Sequence, residues 1–230
     1  MSNNFSIKNV SKAYGKKNVL CEASAELPYG EIIGLLGLNG AGKTTLFNCI
    51  TGLLPYKGET DKTSRPIAYM AKTNFFQGSD SIDDAIEWYD VLFDDFDKEE
   101  AKRRFAECGF EFRSKINGLS LGQRSVADFI LTVSRDAEVY LFDEPFANLD
   151  PQMRDFMKRE IICSMDENRL FVLSTHDIEE LDAVFSKIVL LDKGKLSEVY
   201  DAEEIRANGE SLSEFFLRKT SLRPIGQGGI

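Results

Sequence analysis

The sequence predicts an α/β fold, because short β-like runs alternate with helical stretches along most of the chain. The runs cover residues 5–10, 32–36, 139–142, 170–174 and 188–191. Those beginning at Ile32, Val139 and Leu170 are mostly apolar rather than alternating, the pattern of central strands covered on both faces. They should lie side by side in one sheet. A second observation sets a helical lobe apart. Between Ser79 and Phe112 acidic residues are dense, and Ile82, Ala85, Ile86, Tyr89, Leu92, Phe93 and Phe96 recur at helical spacing. Asp97, with Glu100 three residues on, resembles a capping box ahead of residues 101–106. The charge run reads as a solvated face.

At 230 residues the chain suits one domain with a subdomain. We place that domain at residues 1–220, its helical subdomain at about 73–125, and a flexible tail at 221–230. Apolar residues make up 43% and aromatic residues 11%, which is ample for a core and unlike a disordered composition. The net charge of −10 argues against a general attraction to nucleic acid. Cys21, Cys49, Cys108 and Cys163 are widely spaced without a C-x-x-C pair, which disfavours a zinc site or a disulfide scaffold. They are expected as reduced, mostly packed thiols. No signal-peptide pattern opens the chain, and no window reaches the ~18 consecutive apolar residues of a spanning helix. Any membrane role must then run through a partner.

The run at residues 31–36 leads into Gly37-Leu-Asn-Gly-Ala-Gly-Lys-Thr-Thr45, a match to G-x-x-x-x-G-K-[ST], followed by an apolar helical stretch at residues 46–54. Glycines let the backbone wrap a diphosphate with its N–H groups inward. The helix end favours anionic charge, Lys43 reaches β/γ oxygens, and Thr44 offers a hydroxyl to Mg²⁺. Such a loop sets the ligand class but serves many reactions. Val139-Tyr-Leu-Phe-Asp143-Glu144-Pro145 narrows them, because an apolar strand there ends in two carboxylates. Asp143 is placed to hold Mg²⁺, generally through water, which leaves Glu144 for a water nucleophile.

Leu119-Ser-Leu-Gly-Gln-Arg124 resembles the LSGGQ signature of the ABC ATPases and precedes the Asp143 strand at that family's short interval. The resemblance runs from Phe5 to about Thr220 with the motifs in family order. It implies a P-loop NTPase core with an ABC-type β-subdomain and an inserted α-helical subdomain. It also implies ATP and Mg²⁺ as cofactors. Tyr14 then falls where an aromatic stacks on adenine. Gly37, Asn39, Gly40, Ala41, Gly42, Lys43, Thr44 and Thr45 belong to Walker A, and Ser120, Gly122 and Gln123 serve a nucleotide through the signature. Asp143 and Thr44 become the metal-side residues. Ala147-Asn-Leu-Asp150 resembles the D-loop. His176, the only histidine, matches the switch histidine at the γ-phosphate; a lone histidine is more often structural, and the motif is what assigns it. With Glu144 and Lys43 it completes the expected catalytic set.

Two positions depart from the pattern. Leu121 replaces the first signature glycine, which puts close backbone approach there in question. Lys72 stands where the Q-loop glutamine is usual, with Gln77 nearby but out of register. A lysine offers donors only, so it neither accepts a hydrogen bond nor coordinates Mg²⁺. A single compact domain without long coiled coils is what transporter subunits look like. The resemblance therefore implies an ATPase motor at the cytoplasmic face of the cell membrane, paired head to tail with a second ABC ATPase domain and docked on a separate transmembrane subunit. Phe75 and Phe76 are candidates to line the docking groove. Ser211-Leu-Ser-Glu-Phe-Phe-Leu217 resembles the ending of bacterial drug and peptide exporter ATPases and leans the reading toward export. The alternative is a regulatory or assembly ABC ATPase that uses ATP as a switch. No nucleic-acid partner is expected.

Overall fold

The computed structural model describes residues 3–72 and 80–220, so Phe75, Phe76, Gln77 and the 221–230 tail lie outside the described residues. The chain divides into two compact units, one of residues 1–61 with 174–230, the other of residues 62–173.

In the first unit, β1 (Asn4–Tyr14) and β2 (Lys17–Pro28) form an antiparallel hairpin in register from Asn4↔Pro28 to Tyr14↔Lys17. Its two-residue turn uses Gly15 at φ 58°, a conformation that glycine adopts without a Cβ penalty. β4 (Lys57–Thr60) covers the other side of β1, giving the order β2-β1-β4. The sequence signalled only part of β1. Register shifts interrupt the hairpin, and the inward positions of β2 include the small Ala23 beside Leu20 and Leu27, so the period-2 signal is diluted.

The same unit contains β3 (Glu31–Leu36) parallel to β8 (Lys187–Asp192), which turns back antiparallel into β9 (Lys195–Asp201). Lys193 and Gly194, at φ 48° and 78°, make the tight turn. Gly194 has a further constraint: its carbonyl accepts from the Cys21 amide at 2.8 Å, and a Cβ there would stand 2.6 Å from the Val19 carbonyl oxygen. Helix α1 (Lys43–Ile50) buries Leu46, Phe47, Cys49 and Ile50. Two helices, α6 (Ala202–Ala207) and α7 (Leu212–Lys219), end the described chain. Ser211 and Glu214 form a capping box on α7, whose Leu212, Phe215 and Phe216 are buried. The apolar residues of the exporter-like segment are thus those a packed helix requires.

In the second unit, β5 (Ile67–Met70) runs parallel to β6 (Val139–Asp143), from Ile67↔Val139 to Met70↔Phe142. Next in order is β7 (Leu170–Thr175), of which residues 170–173 belong to this unit. Tyr140, Phe142 and Phe171 stack with near-parallel rings, the closest pair 4.5 Å apart. Among the described residues the unit also contains the α-helices α2 (Ile82–Leu92), α3 (Lys98–Glu107), α4 (Leu121–Val133) and α5 (Pro151–Cys163). Ile82, Ala85 and Ile86 form the buried side of α2 as the spacing predicts, whereas Leu92 is exposed and Phe93 lies just past the helix end. Asp97 caps α3 by accepting from the Glu100 amide at 2.9 Å, but the box is one-sided. The Asp97 amide goes to the Ser134 carbonyl, and the Glu100 carboxylate turns to Arg103 and Arg104. Among the thiols, Cys49 is buried, Cys163 is exposed, and all four are free.

Candidate nucleotide site

The first unit carries the phosphate loop. β3 is buried along residues 32–36, and the chain then turns through Leu38, Asn39 and Gly40, which are exposed, before entering α1. Gly40 and Gly42 sit at φ 79° and 113°, in the left-handed region, where a side chain would be strained. Gly37 has a steric reason instead, since a Cβ would stand 2.7 Å from the Leu191 carbonyl oxygen. The Lys43 ammonium is buried within the loop and donates to the carbonyls of Gly37 at 2.7 Å and Leu38 at 3.4 Å. Thr44 is exposed at the first turn of α1, and Thr45 and Ala41 are half-buried. Backbone amides at a helix N-terminus, a held ammonium and an exposed hydroxyl are together the equipment of an anion site.

Tyr14 ends β1 with 49% of its surface exposed, and the Lys12 ammonium lies 5.5 Å from its ring centroid. An exposed ring is available to stack on a base. His176, also in the first unit, is exposed beyond the end of β7. Its flanks are fixed: the Thr175 hydroxyl accepts from the Asp177 amide at 2.9 Å and lies 3.0 Å from the Asp177 carbonyl oxygen, to which it donates.

The second unit carries the carboxylates and the signature. Asp143, 1% exposed, is the last residue of β6, and Glu144, 8% exposed, follows it at φ +55°. A non-glycine residue held in that region stores roughly 1–3 kcal/mol, and such strain clusters at functional sites. Burial, assisted by the Asp143 charge, pushes the neighbouring Tyr69 phenol up from its ordinary range. The D-loop residues follow. Asn148 is at φ +63°, and Asp150 caps α5 by accepting from the Met153 amide at 2.9 Å, with Pro151 at the first helical position.

Ser120 is the N-cap of α4. Its hydroxyl accepts from the Gln123 amide at 3.1 Å, and the Gln123 side chain accepts from the Ser120 amide at 2.9 Å, a complete capping box. Leu121 occupies the first helical position with 67% of its surface exposed, so the backbone there accommodates a side chain freely. Gly122 is different. A Cβ on it would stand 2.8 Å from the Asn148 carbonyl oxygen, so the absent side chain is what lets the signature helix meet the D-loop backbone. Ser125 reinforces that junction by donating to the Pro145 carbonyl at 3.3 Å. From the sequence alone Asn148 is only part of the D-loop segment, without a role of its own, and the left-handed conformation is one that an asparagine tolerates.

Phosphate loop and paired carboxylates define a P-loop nucleotide hydrolase. Residues 20–147 match the ABC transporter family. A protein of Methanocaldococcus jannaschii described as an uncharacterized ABC transporter ATP-binding protein is 30% identical over 86% of this chain and 78% of its own length. A Mannheimia succiniciproducens protein named for Fe(3+) ion import as an ATP-binding protein is 30% identical over 90% of this chain and 64% of its own length. A solved structure of the ATP binding subunit of an ABC transporter superposes with a TM-score of 0.80 at 22% identity, over 94% of this chain and 98% of that one, and shares the fold. The chain belongs to the ABC transporter family as an ATP-binding subunit, and it is an ATPase.

Proposed function

We propose that this chain is the motor of a membrane transporter, in which two such domains close head to tail over ATP and drive a separate transmembrane subunit. The observation that carries the hydrolytic part is Glu144, a buried carboxylate held in a strained backbone directly after Asp143. In P-loop sites the metal is held by one aspartate and the loop hydroxyl, so the carboxylate that follows is available to a water.

The residues fit magnesium and a nucleotide. Asp143 and Thr44 offer oxygen donors of the kind Mg²⁺ takes, and glycine conformations open the loop amides to phosphate. ATP supplies the phosphoanhydride that is cleaved, and Mg²⁺ would neutralise its charge. Lys43 and the amides of residues 40–45 hold the phosphates in line, while Tyr14 stacks on adenine. Glu144 orients the attacking water and accepts its proton, and His176 contacts the transferred phosphoryl group. Ser120 and Gly122 of one domain complete the site of the other, with Gln123 holding the Ser120 turn in place. Closure and reopening of that pair supply the stroke.

We place the work at the cytoplasmic membrane face, in one ATPase domain of residues 1–220 with a helical subdomain at about 73–125. Among the described residues no helix is long and apolar enough to cross a membrane. The Ser211-to-Leu217 segment supports export, while the relative named for Fe(3+) import supports the opposite direction. ATP-driven flux measured separately in inverted and right-side-out vesicles checks it. Purified chain should hydrolyse ATP, and Glu144→Gln should bind ATP while losing most turnover. Unchanged hydrolysis in that variant rejects the mechanism. ATPase activity indifferent to every membrane subunit would favour the regulatory alternative.

A further inference from the structure

The turn that leads into the signature helix is tied down by that helix's own first residues. A single 3₁₀ turn at Ile116–Gly118 ends at Leu119, and α4 begins after Ser120. The Ser120 amide donates to the Gln123 side chain, its hydroxyl oxygen accepts from the Gln123 amide, and its carbonyl accepts from the Arg124 amide at 2.9 Å. The Arg124 side chain then reaches back over two more carbonyls. Its Nε donates to Leu119 at 3.1 Å and its Nη2 to Asn117 at 2.7 Å. Among the described residues Arg124 forms no ion pair, so its guanidinium is spent on the backbone just ahead of Ser120.

We infer that Arg124 is a positioning residue for ATP hydrolysis, setting the direction in which the Ser120 hydroxyl meets the γ-phosphate held by the other domain. This rests on the head-to-tail reading above. Asn117 is exposed and Leu119 half-buried, so water would satisfy both carbonyls without the arginine, and the two bonds add little to stability. What they add is geometry. Two donors in one rigid guanidinium plane hold the carbonyls on either side of Gly118 against α4, whereas a lysine offers donors from one nitrogen and no planar fork. Ser120 itself is exposed, and among the described residues no acceptor takes its hydroxyl proton, which leaves that proton for a group from outside.

The test is ATP-driven self-association of the full chain carrying Glu144→Gln, read by analytical ultracentrifugation, with binding of a fluorescent ATP analogue by the dilute chain and the unfolding midpoint measured on the same samples. Adding Arg124→Gln should leave nucleotide affinity and midpoint nearly unchanged while weakening association at least about tenfold, and Arg124→Lys should not restore it. Ser120→Ala should weaken association as much. Combining Ser120→Ala with Arg124→Gln should cost no more than about a further twofold, because one residue acts through the other. A packing role for Arg124 instead predicts independent losses that multiply and a lowered midpoint. Multiplying losses, undiminished association in Arg124→Gln, restored association in Arg124→Lys, or nucleotide affinity lost in both Arg124 variants would overturn the proposal. If the Glu144→Gln chain stays monomeric at saturating ATP, the head-to-tail reading falls and the proposal with it. If that chain associates and the Arg124 variants associate equally, only the proposal falls.

Discussion

Glu144 combines two properties that pull apart under substitution. Its left-handed backbone costs stability and, in the proposed mechanism, its carboxylate serves hydrolysis, so Glu144→Gly should raise unfolding stability by about 1 kcal/mol and abolish turnover. Urea unfolding and a phosphate-release assay on one preparation check both halves. Gly122 and Leu121 make a second contrast at this scale. The pattern-breaking residue is the tolerant one: Leu121→Ala should change stability by less than about 0.5 kcal/mol, because its side chain is exposed. Gly122→Ala must displace the Asn148 carbonyl and should cost about 1–3 kcal/mol, with a loss of activity, because that carbonyl belongs to the D-loop. Equal unfolding midpoints for the two variants would contradict the packing account.

Between elements, the helices of the second unit are tied by buried polar groups. Arg104 on α3 donates to Glu160 on α5 at 2.9 Å, to the Ser134 hydroxyl at 2.9 Å and to the Ser164 hydroxyl at 3.3 Å. Arg104→Met strands the Glu160 carboxylate, which is 6% exposed, and should cost about 3 kcal/mol, the lower end for a broken buried pair, since Arg159 and Arg103 lie within 4.0 Å of it. Adding Glu160→Leu should restore most of the loss in a denaturation cycle. Asp128 on α4 behaves in the opposite sense. Burial raises its carboxyl to about 7, so the folded state holds a proton that the unfolded state releases near the ordinary Asp value of 3.8. That favourable protonation is fully present below the unfolded value and is lost as pH rises through about 7. Stability relative to Asp128→Asn should therefore fall by up to about 1.4 kcal/mol per pH unit across that window and level off above it.

At the scale of the molecule, Lys72 is the departure that coupling must explain. It is exposed just past β5, and the proposed mechanism already assigns hydrolysis to Lys43, Asp143, Glu144 and His176. A second cation beside Mg²⁺ would be repelled, which favours a role toward the partner. Lys72→Gln should leave hydrolysis by the isolated chain nearly unchanged and alter stimulation by the transmembrane subunit. Steady-state ATPase with and without that subunit reads the difference, and a changed basal rate with normal stimulation would reverse the assignment.

The phosphate loop, the paired carboxylates and the central runs were legible in the sequence because each depends on local chemistry. Gly40 and Gly42 are needed for backbone conformation, Lys43 and Thr44 follow at fixed offsets, and β6 and β7 are continuous apolar runs bounded by polar residues. Strands β2, β4, β5 and β9 escaped because their positions are set by pairing with β1, β6 and β8, contacts between segments far apart or interrupted by bulges. The Asp97 box was half right for the same reason, since Ser134 from a distant turn takes the amide and Arg104 takes the carboxylate. Only tertiary structure shows that Gly122 is constrained by a carbonyl 26 positions away, that Glu144 is strained, and that Trp88, Val91 and Leu92 of α2 are exposed among the described residues. Those properties depend on which backbone or side chain arrives from elsewhere, and no local periodicity encodes that.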